Sequence, residues 1–285
     1  MNPALVRNSL SLLSYVAPPL AARFAARVFT TPRKIGRPDW ESKLVERGKK
    51  QMLAGEIGIV RWGDSNAPAV MLVHGWAGRG TQLGFLLDPL LQLGYQVVAF
   101  DGPGHGFSKG HQTTIPMFSD ALMKVIEEIG EVRCIVAHSF GGSATALTLA
   151  RGARVESAVL VAVPASIRWI FDNFCRRMKL SERGAHAFVR YIETWTGYGL
   201  DDLSIEKLAP KIKASGLVVH DPEDKDVPFS NAEEIVQHWK KARLVTLVGV
   251  GHRKILKSSD FVRAVCDFVG PAQTASKMSG SVTVD

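Results

Sequence analysis

The tightest constraint on the fold of this chain is the run Val136-Ala137-His138-Ser139-Phe140-Gly141-Gly142, an apolar stretch that ends on a serine between small residues. Arg133-Cys134-Ile135-Val136 reads as a buried strand and 143–150 as a helix, so Ser139 falls on a strand-to-helix turn. Such a turn strains the serine backbone and leaves its hydroxyl exposed, and the run reads as a nucleophile elbow. Small residues two places before and after the serine are needed because the turn brings those α-carbons together. The usual pattern has glycine at both places, and Ala137 departs from it by one methyl group. Taken alone, the string also fits an ordinary glycine-rich turn after a strand.

The chain has 285 residues, 46% of them hydrophobic, enough to bury the core of one domain or of one domain with an insertion. Its 35 Lys and Arg against 27 Asp and Glu give a net charge of +8, which invites nucleic acid or an anionic membrane as partner. Nucleic acid is discounted. The basic residues stand singly or in short groups such as Arg23/Arg27, Lys49/Lys50, Arg176/Arg177 and Lys240/Lys241, and no nucleic-acid module accompanies them. Cys134, Cys175 and Cys266 are too few and too widely spaced for a disulfide framework or a zinc site, and they fit a reducing compartment, with Cys134 and Cys266 as core residues. Residues 10–28 are apolar, but Pro18-Pro19, Arg23 and Arg27 interrupt them, so a cytoplasmic protein is expected rather than a membrane-spanning one. A signal peptide over 9–22 fits poorly because of the two prolines. Residues 21–29 are expected to pack on the domain as a helix, and the alternative is contact of 10–29 with a membrane surface.

Strand and helix patterns then alternate. Strands are expected over 56–62 and 69–74, joined by Gly63-Asp64-Ser65-Asn66 in a hairpin-like start, then over 96–100, 133–137, 157–163, 216–220 and 242–248. Helical patterns fall at 84–93, 117–129, 141–151, 231–239 and 259–268. The rhythm breaks after Pro164, where 167–178 and 185–194 read as two helices carrying Trp169, Phe171, Phe174, Phe188 and Tyr191. Near-continuous apolar strands alternating with helices imply an α/β fold, a mostly parallel, doubly wound sheet with a small helical cap insertion. The expected division is an N-terminal helical extension over 1–55, a core over 56–164 and 210–270, the cap over 165–209, and a disordered polar tail over 271–285. Sites in such sheets form beyond the carboxyl ends of the strands. His74-Gly75-Trp76, Asp101 to Gly106, Ser139, Asp221 to Asp226 and His252 all follow strands.

On these motifs the chain resembles the alpha/beta-hydrolase superfamily over about 58–269. The resemblance rests on His74-Gly75, Asp101-Gly102-Pro103-Gly104-His105-Gly106, the elbow at Ser139, Asp224-Lys225-Asp226-Val227-Pro228 and Gly251-His252, in the chain order nucleophile, acid, histidine. It implies a serine nucleophile, Ser139, activated by His252 in the loop after the last strand. The acid that orients the histidine lies among Asp221, Asp224 and Asp226. The family pattern, with the acid three residues before Val and four before Pro, selects Asp224, leaving the other two as turn formers or solvated charges. Backbone N–H groups of Trp76 and Phe140 are the implied oxyanion donors, and the Trp76 indole either lines the acyl pocket or packs beneath the cap. His138 is expected to point away from the serine.

The resemblance implies a serine hydrolase acting on a small-molecule ester or thioester through an acyl-enzyme, carboxylesterase-like, with no metal and no organic cofactor. Peptidase, carbon-carbon hydrolase and perhydrolase chemistry would use the same three residues. A non-catalytic binding module on the same fold and a membrane-surface lipid hydrolase are the alternatives. Nothing in the sequence specifies the oligomeric state.

Overall fold

A computed structural model describes residues 3–272. In chain order its elements are α1 (Pro3–Val16), α2 (Pro18–Thr30), α3 (Asp39–Glu46), β1 (Lys49–Leu53), β2 (Ile57–Trp62), β3 (Ala69–Val73), α4 (Leu87–Gln92), β4 (Gln96–Phe100), α5 (Ile115–Ile129), β5 (Val132–His138), α6 (Phe140–Ala150), β6 (Val155–Val161), α7 (Ile167–Met178), α8 (Glu182–Thr196), α9 (Ile205–Leu208), β7 (Ser215–His220), α10 (Ser230–His238), β8 (Ala242–Thr246), α11 (Gly251–Lys254) and α12 (Ser259–Val269). The strands form one sheet in the order β1-β2-β4-β3-β5-β6-β7-β8. From β4 to β8 every neighbouring pair is parallel, and β1 and β2 are antiparallel additions at one edge.

The central strands have no exposed face, which is why their sequences run apolar without alternation. All five residues of β3 and of β4 are buried. On one side of the sheet Phe118 and Leu122 of α5, Leu147 of α6 and Ile235 of α10 form the core, together with Phe171 and Phe188 of the cap. On the other side the core is Val45 of α3, Leu87 and Leu90 of α4, and Phe261, Val265 and Val269 of α12.

The hairpin expected from the turn at 63–66 does not form. β2 and β3 are not neighbours, because β4 lies between them, antiparallel to β2 (Ile59 beside Phe100) and parallel to β3 (Val73 beside Phe100). The Asx turn at Asp64, whose carboxylate accepts the Asn66 N–H at 2.9 Å, begins a crossing loop longer than the two-residue turn that a tight hairpin needs. The expected helical extension over 1–55 is likewise corrected, since β1 inside it is a sheet strand. Lys49 and Lys50 sit exposed on this edge strand, and lysine-bearing edges lack the apolar run by which a strand is recognised. The polar tail lies outside the described residues from 273 onward.

Two segments distant in sequence make one helical layer. The cap helices α7 and α8 leave the sheet between β6 and β7, and α1 and α2 pack against them. Ala21, Ala22, Ala25 and Ala26 give α2 a small, buried face that permits close approach to α8. Ser11 Oγ donates to the Lys179 carbonyl (2.8 Å), and Ser181 donates through its N–H to Ser14 Oγ (2.9 Å) and through its hydroxyl to the Ser14 carbonyl (2.6 Å). Phe29 of α2 meets Phe171, Phe174 and Phe188 at ring separations of 4.5, 4.9 and 5.6 Å.

A buried ion pair anchors the loop after β3. Arg79 donates to both carboxylate oxygens of Glu41 (2.5 and 2.8 Å), Thr81 Oγ1 donates to the same group (2.7 Å), and a third Arg79 nitrogen donates to the Ile35 carbonyl (3.1 Å). Glu41 is 2% and Arg79 5% exposed, so removing one partner strands the other charge away from water. Glu41→Ala is expected to lower unfolding free energy by about 3–5 kcal/mol in urea titrations. Replacing both residues with apolar side chains of similar volume should cost less than Glu41→Ala alone.

Candidate active site

The loops that follow β3, β4, β5, β7 and β8 meet above the carboxyl ends of the strands. Ser139 closes β5 at φ 51° and ψ −124°, a backbone that a non-glycine residue holds only where its surroundings impose it. Its N–H donates to the Val161 carbonyl (2.9 Å) and its own carbonyl accepts the Gly142 N–H (2.8 Å), tying the turn to β6 and to the first turn of α6. The need for small residues arises chiefly across loops. A Cβ on Gly141 would lie 2.2 Å from the His74 carbonyl oxygen, and one on Gly75 would lie 3.1 Å from the Ser139 Cβ. The elbow is therefore pressed against the loop after β3. Ala137 fits, fully buried in β5 between Val73 and Leu160.

The structure brings the three sequence-predicted side chains together in line. Ser139 Oγ is 3.1 Å from His252 Nε2, and His252 Nδ1 is 2.7 Å from Asp224 Oδ2. The other oxygen of Asp224 accepts the N–H groups of Asp226 (2.7 Å) and Val227 (3.0 Å). Burial pushes this carboxyl up, but the hydrogen bonds from His252 and Val227 outweigh it and hold Asp224 below the usual carboxylate range. An ionised Asp224 accepts a hydrogen bond from the Nδ1–H and so leaves Nε2 with its lone pair toward the serine. His252 lies in the first turn of the short helix α11 rather than in an open loop. Asp226 is exposed on the surface of the β7 loop.

Trp76 and Phe140 both line the space beside Ser139. Phe140 is the first residue of α6, where N–H groups lack partners within the helix, and the positive end of the helix adds to their pull on an anion. The Trp76 N–H has no protein hydrogen bond among the described residues, while the next N–H, that of Ala77, donates to His105 Nε2 at 3.1 Å. The Trp76 indole lines the cavity beside Ser139 and meets the Phe140 ring edge-on at 5.2 Å. That cavity measures about 400 Å³ and extends from Ser139 and His252 under the helical layer, between Val28 and Phe29 of α2 and Ile170 and Phe174 of α7.

Two positioning groups escaped the sequence. Asp221, expected only as a turn former or a solvated charge, is buried and clamps the loop that carries the histidine. Its carboxylate accepts the N–H groups of Gly249 (3.2 Å), Gly251 and Glu223 (2.9 Å). Burial pushes that carboxyl up, and these donors pull it below the usual range. Its place directly after an apolar strand was the available signal. His138 does point away from the serine hydroxyl, but its Nε2 lies 2.9 Å from the backbone carbonyl of His252 and its ring 4.8 Å from the His252 ring. Burial, reinforced by that neighbouring ring, pushes His138 down to about 3, so it donates from Nε2 as a neutral ring. On the far side, buried His220 is 2.9 Å from the Val227 carbonyl through Nε2 and supports the loop of Asp224.

Asp221→Ala frees the Gly249 and Gly251 amides and lets the His252 ring drift. A displacement of about 1 Å can cost on the order of a hundredfold, so kcat on a soluble ester should fall by about that factor while KM changes little. An unchanged kcat would remove the clamp from the account.

Asp224, Asp226 and His252 bring potential metal-binding atoms within 4.8 Å of one another. The hydrogen bond between His252 and Asp224 already commits one nitrogen and one oxygen of that set.

A serine, an aspartate and a histidine brought into hydrogen-bond contact from the loops after β5, β7 and β8 of a doubly wound sheet make a hydrolase-like arrangement. The family described as the alpha/beta hydrolase family matches residues 70–265, and the chain belongs to it. Among curated relatives, a non-heme haloperoxidase of Rhodococcus erythropolis is 28% identical over 260 residues, covering 73% of this chain and 93% of that protein. A human serine hydrolase-like protein is 30% identical over 104 residues, covering 35% of this chain and 51% of its own. The chain spans about half or less of the length of the serine hydrolase-like relatives it matches. Among solved structures, a putative lipase from Acinetobacter baumannii superposes with a TM-score of 0.62 at 19% identity, covering 83% of this chain and 97% of that one.

Proposed function

We propose that this alpha/beta hydrolase cleaves a carboxylic ester or thioester through an acyl-enzyme on Ser139. The observation that carries the reading is the in-line relay Ser139–His252–Asp224, at 3.1 and 2.7 Å, opening on an apolar cavity. Ser139 Oγ attacks the carbonyl carbon as its proton passes to His252 Nε2, and Asp224 stabilises the imidazolium so formed. The carbonyl oxygen becomes an oxyanion held by the N–H groups of Trp76 and Phe140, each such donor being worth about 3–4 kcal/mol in the barrier. Collapse expels the alcohol or thiol, which takes the proton from His252. Water then attacks the acyl-Ser139, giving its proton to His252, and the carboxylic acid leaves with the serine restored.

Cavity size and chemistry suit a moderately hydrophobic acyl group. Phe29, Phe171 and Phe174 offer that group ring edges and faces, and Thr114, Asn173 and Thr196 are polar groups of the same lining. A fluorophosphonate probe tests the reading, because it reacts only with a serine whose proton can be taken. Labelling is expected on the folded protein and absent from Ser139→Ala. Folded protein that does not label, or a label that survives Ser139→Ala, sinks the proposal. A series of p-nitrophenyl esters of increasing chain length then measures the depth of the acyl pocket.

A further inference from the structure

The charge of this chain is unevenly placed. Residues 1–38 hold six basic residues and no acidic one, and residues 165–200 hold six basic and three acidic; the rest of the chain has 23 basic against 24 acidic. Most of the net charge of +8 lies on the layer of α1, α2, α7 and α8 over the cavity, where Arg7, Arg23 and Arg27 on α1 and α2 join six basic and three acidic residues over 167–196 for a net +6; Arg33, Lys34 and Arg37 lie beyond α2, and Arg168 is paired with Asp201 at 2.7 Å. Charge confined to one layer attracts an extended anionic surface, whereas scattered charge does not.

That layer also presents apolar side chains to solvent. Leu5, Leu12, Tyr15 and Val16 lie on one face of α1, each more than 60% exposed, and Leu20 follows at the start of α2 at 56%. Arg23 and Arg27 come three and seven residues after Leu20, on the outward face of α2 opposite its buried alanines, and both are exposed. A single exposed leucine is ordinary. Five large apolar residues within sixteen positions, bordered by arginine and with no acid among them, have the composition of helices that lie in a lipid interface. Among the described residues no helix is long and apolar enough to cross a membrane, so contact at this face would be peripheral.

The inner side of the layer walls the cavity. Val28 and Phe29 at the end of α2, and Ile170, Phe174 and Arg177 of α7, line the space that reaches Ser139. A path from the layer to the serine is thus lined mostly by apolar side chains, with Arg177 beside them.

We propose that α1, α2 and the basic side of the cap seat this protein on an anionic lipid bilayer, and that its substrate is a lipophilic ester drawn from that bilayer into the cavity. The second half rests on the serine hydrolase reading; the first does not. Leu12, Tyr15, Val16 and Leu20 enter the headgroup boundary, while Arg23, Arg27 and the cap arginines meet lipid phosphates and carboxylates.

Cosedimentation of the full chain with vesicles of phosphatidylcholine, with and without phosphatidylserine, tests the docking. Binding is expected to phosphatidylserine vesicles and to weaken as salt is raised. Arg23→Glu/Arg27→Glu changes the charge by four units and should lower partitioning by roughly several hundredfold, from about fivefold per unit of charge near the surface. Leu12→Glu/Val16→Glu should lower it at least about tenfold at constant salt. Both pairs are exposed, so the melting temperature and the fluorophosphonate labelling of Ser139 should stay as in the unaltered chain. Binding that ignores phosphatidylserine, or that survives both double substitutions, overturns the docking face; so does self-association or a protein partner on this surface with no vesicle binding. A long-chain ester presented in vesicles should be cleaved more slowly by the double variants, and a water-soluble short ester equally well. Equal rates on both overturn the entry route. Vesicle binding without any labelling would instead count against the serine hydrolase reading and leave the docking intact.

Discussion

Ser139→Ala is expected to lower kcat on a p-nitrophenyl ester by about a millionfold, and His252→Ala by about as much. The two losses should not add. Once the base is gone the serine proton has no acceptor, and once the serine is gone the base has nothing to activate, so the double variant should fall no further than either single one. Asp224→Asn is the more informative change. The Asp226 and Val227 N–H groups point at one oxygen of this side chain and would select the amide oxygen there, turning the NH2 toward His252 Nδ1. The ring would then accept at Nδ1 and carry its proton on Nε2, facing Ser139 Oγ with a donor where an acceptor is needed. A loss of about ten-thousandfold is expected with the geometry intact. Equal activity of the Asp224→Asn chain would mean that Asp224 does not set the tautomer, and Asp226 would be the next acid to test.

The parts of this fold legible in the sequence are those whose physics is local. β3 and β5 read as strands because both faces are buried and their residues are apolar throughout. Ser139, Asp224 and His252 were legible because they follow β5, β7 and β8 in an order that few chains share, Ser139 directly and the other two a few residues on. β1 was not, because an edge strand satisfies only one side and can afford Lys49 and Lys50. The non-pairing of β2 and β3 was hidden for a different reason: strand order depends on β4, which is contributed thirty residues later, and nothing in the turn at 63–66 refers to it. The helix α1 was legible only as part of a helical extension, without bounds of its own, because serines and exposed leucines blur its face, although Ser11 and Ser14 bind the α7–α8 connection. Asp221 and His138 were invisible as positioning groups because their partners are backbone atoms of the loop at 249–252, and a backbone amide or carbonyl leaves no trace in residue type. A close contact such as that between Gly141 and the His74 carbonyl is hidden in the same way, showing only as a small residue.

Acid should unfold this protein early, and through the site loops. His74 is buried, with Nδ1 2.7 Å from the Gly75 carbonyl and Nε2 accepting the Gly102 N–H at 3.0 Å. His105 repeats the arrangement, with Nδ1 3.0 Å from the Pro103 carbonyl and Nε2 accepting the Ala77 N–H. Each neutral ring thus donates on one side and accepts on the other, and a second proton would face an N–H. Burial pushes both down to about 4, helped at His105 by the His74 ring 4.7 Å away and at His74 by the charge of Arg79. His138, at about 3, belongs to the same set. Because all three values lie below the ordinary 6.5, the unfolded chain takes up protons first as pH falls. Their stabilising contribution is whole above about pH 6.5 and drains away toward pH 4 and then 3. At about 1.4 kcal/mol per pKa unit, the loss amounts to several kcal/mol. Asp101, whose carboxyl burial holds above its usual range, works in the opposite sense and adds nothing to the acid loss. Urea midpoints should therefore fall steeply from pH 7 to pH 4.5, and His105→Gln, which can still accept the Ala77 N–H, should flatten that slope. A midpoint unchanged over this interval would mean that these rings accept protons without unfolding. Since His105 holds the amide beside Trp76 and His138 holds the carbonyl of His252, esterase activity should be lost over the same pH range as the fold, and should return with it on neutralisation.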